Sequence, residues 1–89
     1  MSVQKELEIK NRKGLHARAA AAFVKIVEAY DAEITVGRAG VIVSGCSIMG
    51  LMMLAASQGS KITVCAEGNE ADEALQAISK LIEDKFGEE

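Results

Sequence analysis

Residues 61–82 read KITVCAEGNEADEALQAISKLI, and within them one periodicity gives way to another. Ile62, Val64 and Ala66 alternate with Lys61, Thr63, Cys65 and Glu67, the two-residue repeat of a strand with one buried face. After Gly68 the apolar positions Ala74, Leu75, Ile78, Leu81, Ile82 and Phe86 recur at three- and four-residue steps, the stripe of an amphipathic helix. Asn69 is the expected N-cap, and Glu70, Asp72 and Glu73 suit the positive end of the helix dipole. A half-buried strand running into an amphipathic helix predicts a sheet with helices on one face and solvent on the other.

The preceding segments repeat this grammar. Val3, Leu7 and Ile9 alternate with Gln4, Glu6 and Glu8 as a first strand, and Asn11 to Gly14 forms a loop. From Ala17 to about Tyr30, Ala20, Phe23, Val24 and Val27 mark an amphipathic helix. Ile34 with Val36 and Val41 with Val43 flank a break containing Gly37 and Gly40, the pattern of a hairpin. Ser47 offers the hydroxyl wanted at a helix N-cap, and Ile48 to about Ala56 reads as a short apolar helix ending before Gly59. The predicted order is β-α-β-β-α-β-α: one domain over residues 1–89, an open-faced α/β sandwich with an aliphatic core, since only 3% of residues are aromatic.

Composition narrows the function classes. No apolar run approaches the roughly 20 residues that span a bilayer, and the N-terminal MSVQKELEIK lacks a signal peptide's apolar segment, so a cytoplasmic protein without membrane insertion is expected. Cys46 and Cys65 form no CxxC, and with one histidine there is no tetrahedral metal set, so two reduced thiols and no metal or cofactor are expected. Residues 1–30 carry six basic and three acidic side chains, residues 31–89 four basic and ten acidic. The basic excess surrounds His16 and suits a phosphate group or an acidic protein surface. Nucleic acid is not an expected partner: the chain is acidic overall, and Phe23, Tyr30 and Phe86 fall on predicted helices or their ends, not on strands where bases stack.

His16, the only histidine, lies in GLHARAA at residues 14–20, at the start of the first predicted helix. An N-cap position sets its ring beside the first free backbone N–H groups, those of Ala17, Arg18 and Ala19, at the positive end of the dipole. A phosphoryl group on the ring would be held by those donors, and the Arg18 guanidinium matches phosphate oxygens. The same field opposes the imidazolium form, leaving a nucleophilic ring. Gly14 permits a tight turn and Ala17 leaves the ring open. No acidic residue or serine lies near His16 in sequence, so a hydrolase-type triad is not indicated.

GLHARAA, YDAEITV, SIMGLMMLAASQG and the ITV…GNEADEAL run together resemble the HPr family, the histidine-containing phosphocarriers of the bacterial phosphoenolpyruvate:sugar phosphotransferase system, over essentially the whole chain. The resemblance implies four antiparallel strands covered on one face by three helices. It implies that His16 carries the phosphoryl group on its pros nitrogen, taking it from phospho-enzyme I and passing it to IIA-type proteins, with Arg18 assisting and the Ala17 and Arg18 backbone holding phosphate. Such a protein is a carrier, not an enzyme, and a monomer is the expected state.

The nitrogen-regulatory paralogue NPr uses the same phosphohistidine in a signalling branch; the SIMG segment leans toward HPr. Leu51, Leu54 and Ala55 are expected to face the sheet, leaving Ile48, Met49 and Met52 near the surface as the partner-docking face the resemblance implies. Ser47 matches the serine that an HPr kinase/phosphorylase modifies in many members. Two departures stand inside the motifs: Ala19 where the family usually has proline, and Cys46 where it usually has lysine before the serine.

Overall fold

A computed structural model describes residues 2–88. The strands are β1 (Ser2–Glu8), β2 (Glu33–Arg38), β3 (Val41–Ser44) and β4 (Lys61–Glu67); the helices are α1 (Ala17–Glu28), α2 (Ile48–Met53) and α3 (Ala71–Glu83), with a final 3₁₀ turn at Lys85–Gly87. One sheet has the order β1-β4-β2-β3, and every pairing is antiparallel.

The register explains why the two-residue repeat of β4 is decisive. In β4, Ile62 and Val64 lie opposite Leu7 and Lys5 of β1, while Val64 and Ala66 lie opposite Val36 and Ile34 of β2. The apolar residues of three strands therefore share one face. Over that face pack Ala20, Phe23, Val24 and Val27 of α1, Leu51 of α2, and Ala74, Ile78 and Ile82 of α3, all buried. Phe23, fully buried, is the one aromatic side chain at the centre, and truncating it to alanine removes about 3–5 kcal/mol.

Several boundaries differ from the sequence reading, each for a local reason. Asn69 does not cap α3: its side-chain Nδ2 donates to Asp31 Oδ2 at 3.0 Å, and Glu70 occupies the cap position without a capping bond. Instead, Glu70 Oε1 accepts the Asp31 backbone N–H at 2.7 Å, so this corner is tied to the end of α1. Gly37 lies inside β2 opposite Ile42; the turn is made by Ala39 and Gly40, both with positive φ (51° and 82°), the twist a two-residue hairpin requires. Phe86 falls beyond α3, in the terminal turn, and α2 stops at Met53 because Ala55 turns left-handed at φ 52°. That turn exposes Ala55 and buries Ala56, reversing the expectation for Ala55.

Gly50 sits in the middle of α2, where glycine weakens a helix. Its place is explained by contact: a Cβ there would come within 3.1 Å of Val43 Cβ on β3 and of Ser47 Oγ. Absence of a side chain lets α2 lie directly on the edge of the sheet and keeps the Ser47 cap intact.

Candidate phosphoryl-accepting site

His16 occupies the N-cap of α1 in an extended conformation (φ −79°, ψ −178°). Its ring makes no capping bond, while its carbonyl accepts the Ala20 N–H at 2.8 Å and so opens the helix. The N–H groups of Ala17, Arg18 and Ala19 are the first-turn donors that a helix leaves unpaired, and they have no partner among the described residues. The His16 side chain is 27% exposed. Ala17 and Arg18 are exposed beside it, and Ala19 turns its methyl group into the core.

The loop before His16 is fixed from two sides. Gly14 has φ 66°, a left-handed conformation, and a Cβ at this position would overlap the Ala56 carbonyl oxygen. The next residue, Leu15, donates its N–H to that same oxygen at 2.9 Å. Asn11, fully buried, closes the loop from within: its Nδ2 donates to the Gly14 carbonyl at 2.8 Å.

The sequence reading missed the group that touches the ring. His16 Nε2 is in direct contact with Glu88 Oε2, across 72 residues of chain. Glu88 Oε1 accepts a second hydrogen bond, from Asn11 Nδ2 at 2.9 Å. The terminal segment reaches the site because Lys85, Phe86 and Gly87 all have positive φ (57°, 56° and 73°) and fold it back from the end of α3. For the two non-glycine residues this conformation costs on the order of 1–3 kcal/mol each. Phe86 packing against the core and the two bonds of Glu88 offset it.

Burial alone would raise the Glu88 carboxyl pKa. The hydrogen bonds from Asn11 and His16 and the charges of His16 and Lys13 outweigh it, so the pKa is lowered from its ordinary value and the group is held as carboxylate. Around it, Arg12, Lys13 and Arg18 line a concavity together with Phe86 and Gly87. Three of the six basic residues of 1–30 thus gather around the carboxylate that touches the ring.

On its other side His16 shares a shallow concavity with Lys13, Leu15, Met52 and Ala55. This brings the apolar helix α2 beside the histidine. Ile48, Met49 and Met52 are exposed as expected, and Met53, which the sequence reading did not single out, is the most exposed side chain of α2 at 73%. Ser47 Oγ accepts the Gly50 N–H at 2.9 Å and caps the helix, roughly 7–8 Å along the axis from Met52. Both cysteines are free thiols, Cys46 exposed in the turn before α2 and Cys65 on β4. Among the described residues no helix is long and apolar enough to cross a membrane.

Fold and site together define a small domain that presents one histidine at a helix start, flanked by cations and an apolar face. Comparison with known proteins sharpens this. Residues 3–84 match the family model described as the PTS HPr component phosphorylation site, and the chain belongs to that family. It is 46% identical to the phosphocarrier protein HPr of Pseudomonas aeruginosa, covering 93% of each chain. It is 40% identical to the phosphocarrier protein NPr of Shewanella violacea over 97% of this chain and 94% of that one. A crystal structure of HPr from Thermoanaerobacter tengcongensis superposes with a TM-score of 0.93 at 45% identity, covering 98% of both chains. The antiparallel open sheet and three helices are therefore the family's fold.

Proposed function

We propose that this protein is a phosphocarrier of the phosphotransferase system: His16 accepts a phosphoryl group from phospho-enzyme I and donates it to IIA-type proteins. The observation that carries the reading is the state of the His16 ring. It caps α1 without using the helix's free N–H groups, and among the described residues only Nε2 is engaged, by Glu88. With the hydrogen on the Nε2 that faces the Glu88 carboxylate, Nδ1, the pros nitrogen, keeps its lone pair.

In the transfer, the Nδ1 lone pair attacks phosphorus as the bond from phosphorus to the donor's histidine nitrogen breaks. Nε2 keeps its hydrogen, facing the Glu88 carboxylate, which stabilises the positive charge that the ring acquires on forming its new bond. The unpaired N–H groups of Ala17 and Arg18 and the Arg18 guanidinium are placed to take the phosphoryl oxygens. The low nucleophile crowding that Ala17 provides and the exposed Ile48, Met49, Met52 and Met53 suit docking of successive protein partners on one face.

Ser47 supports a regulatory layer on the same surface. A phosphate there, installed by a kinase of the HPr kinase/phosphorylase type, stands at a helix start, where negative charge is tolerated, and adds about −1.5 to −2 charge to an apolar docking face. Binding of enzyme I weakens while the fold is kept. The sugar-transport branch is favoured over the nitrogen branch by the relatives named HPr; phosphoryl transfer from the two kinds of enzyme I, compared side by side, separates the branches.

The test of the carrier reading is direct. Incubated with phosphoenolpyruvate and enzyme I, the protein is expected to gain one acid-labile phosphate. Labelling that persists in His16→Ala overturns the assignment.

A further inference from the structure

We propose that Asn11 is a positioning residue for phosphoryl acceptance, acting through Glu88 to fix which nitrogen of His16 carries the hydrogen. The inference rests on the carrier reading of His16 and deepens it, since it concerns the setting of the same ring.

Asn11 is the only polar side chain among the described residues that is completely buried. Its Nδ2 spends both hydrogens, one on the Gly14 carbonyl at 2.8 Å and one on Glu88 Oε1 at 2.9 Å. The amide orientation is set by this: turned over, its oxygen would face two acceptors and no donor. As a result Oδ1 is buried with no hydrogen-bond partner among the described residues. An orphaned buried acceptor is destabilising. Holding the loop needs a single donor to Gly14; the second donor points out of the loop, at a carboxylate 77 residues away.

What that second donor accomplishes is geometric. A carboxylate with one oxygen held by Asn11 presents its other oxygen in one direction, and that oxygen meets His16 Nε2. An ionised carboxylate only accepts hydrogen bonds, so the nitrogen it meets must carry the hydrogen. In a neutral imidazole this makes Nδ1 the nitrogen with the free lone pair. Lys13 and Arg18 line the concavity that holds Glu88, and against the opposing effect of burial the Asn11 and His16 hydrogen bonds, with the His16 and Lys13 charges, lower the carboxyl pKa. Asn11, Glu88 and His16 thus form a chain of fixed direction, in which the first residue never touches the phosphoryl group.

The test reads the tautomer itself. In long-range ¹H–¹⁵N spectra of the full chain, recorded at alkaline pH, the wild-type protein is expected to show Nε2 as the hydrogen-bearing nitrogen and Nδ1 with the shift of a lone-pair nitrogen. Asn11→Ala and Asn11→Asp, the latter setting a like charge beside Glu88, are expected to mix in the Nδ1–H tautomer. Both should slow phosphorylation by enzyme I about tenfold in kcat, with KM unchanged.

Glu88→Ala leaves the Asn11–Gly14 bond in place and is expected to give the same tautomer mixing and the same loss. Should Glu88→Ala change the tautomer while folded Asn11 variants keep the wild-type spectrum and rate, Asn11 is a turn residue only and the proposal fails. It fails equally if Glu88→Ala leaves the tautomer unchanged, a result that does not require any Asn11 variant to fold. A wild-type protein that takes up no phosphate overturns the carrier reading instead, and the ring spectrum is read independently of it.

Discussion

Gly14 and Ala56 meet backbone to backbone: the Leu15 N–H reaches the Ala56 carbonyl at 2.9 Å, and Gly14 leaves no room for a Cβ beside that oxygen. The loop that carries His16 and the segment that follows α2 are therefore one unit, so the histidine and the apolar helix α2 keep a fixed spacing. Gly14→Ala forces both a positive φ on alanine and a clash with backbone that cannot move aside. Urea unfolding is expected to show a loss of about 2–4 kcal/mol. A loss below a few tenths would mean that the loop detaches from Ala56 freely.

Acidification should release the terminal segment before the core responds. Because the Glu88 pKa is lowered in the folded state by its Asn11 and His16 hydrogen bonds and the His16 and Lys13 charges against the opposing effect of burial, its contribution is complete at neutral pH. It is lost as the pH falls through the lowered pKa, that is, below the ordinary glutamate value of about 4.3. The ¹³C shift of the Glu88 carboxyl, followed against pH, is expected to titrate below that of glutamate in a peptide. Titration at or above it contradicts the arrangement.

Ser47 separates stability from docking. Ser47→Ala removes the acceptor for the Gly50 N–H and is expected to cost about 0.5–2 kcal/mol in thermal or urea unfolding. Ser47→Asp keeps an acceptor at the cap and adds a charge to the proposed docking face. Its stability is expected near that of the parent, while calorimetric affinity for enzyme I falls about tenfold, the equivalent of about 1.4 kcal/mol.

Met49 and Met53, at 71% and 73% exposure, contribute little to the folded state. Met49→Lys and Met53→Lys are expected to shift stability by no more than about 0.5 kcal/mol. In phosphorylation assays they should raise the KM for enzyme I, with kcat retained. Unchanged KM in both would move the docking face away from α2.

Ala19→Pro tests the departure inside GLHARAA. The Ala19 N–H has no partner among the described residues, so proline gives up no hydrogen bond in the first helical turn. A gain of about 0.5–1 kcal/mol in unfolding free energy is expected from the stiffer unfolded chain.

Strands and helices were legible where one face is buried, because burial imposes the two- and 3.6-residue repeats directly. Ile62, Val64 and Ala66 are buried as their alternation predicts, and Ala74, Ile78 and Ile82 as their helical spacing predicts. Residues whose partners are distant in sequence were misread: Asn69 looks like a cap until Asp31 is seen to draw its amide away. The placement of His16, Arg18 and Ser47 at helix starts was legible because capping is local. Glu88 and Asn11 were not, since their contact spans the chain and depends on three successive left-handed residues, of which only Gly87 carries any local signal.

The spatial order β1-β4-β2-β3 has a consequence for how the protein acquires its structure. The β2–β3 hairpin can close from neighbouring residues alone, but β1 pairs only with β4, and residues 9–60 lie between them. Closing that long loop must precede any gain from the pairing, so the rate of folding is governed by a non-local step. Until it is complete, β1 is an unpaired strand, and the loop bearing His16, which continues from it, has neither Ser60 nor Ala56 to hold it.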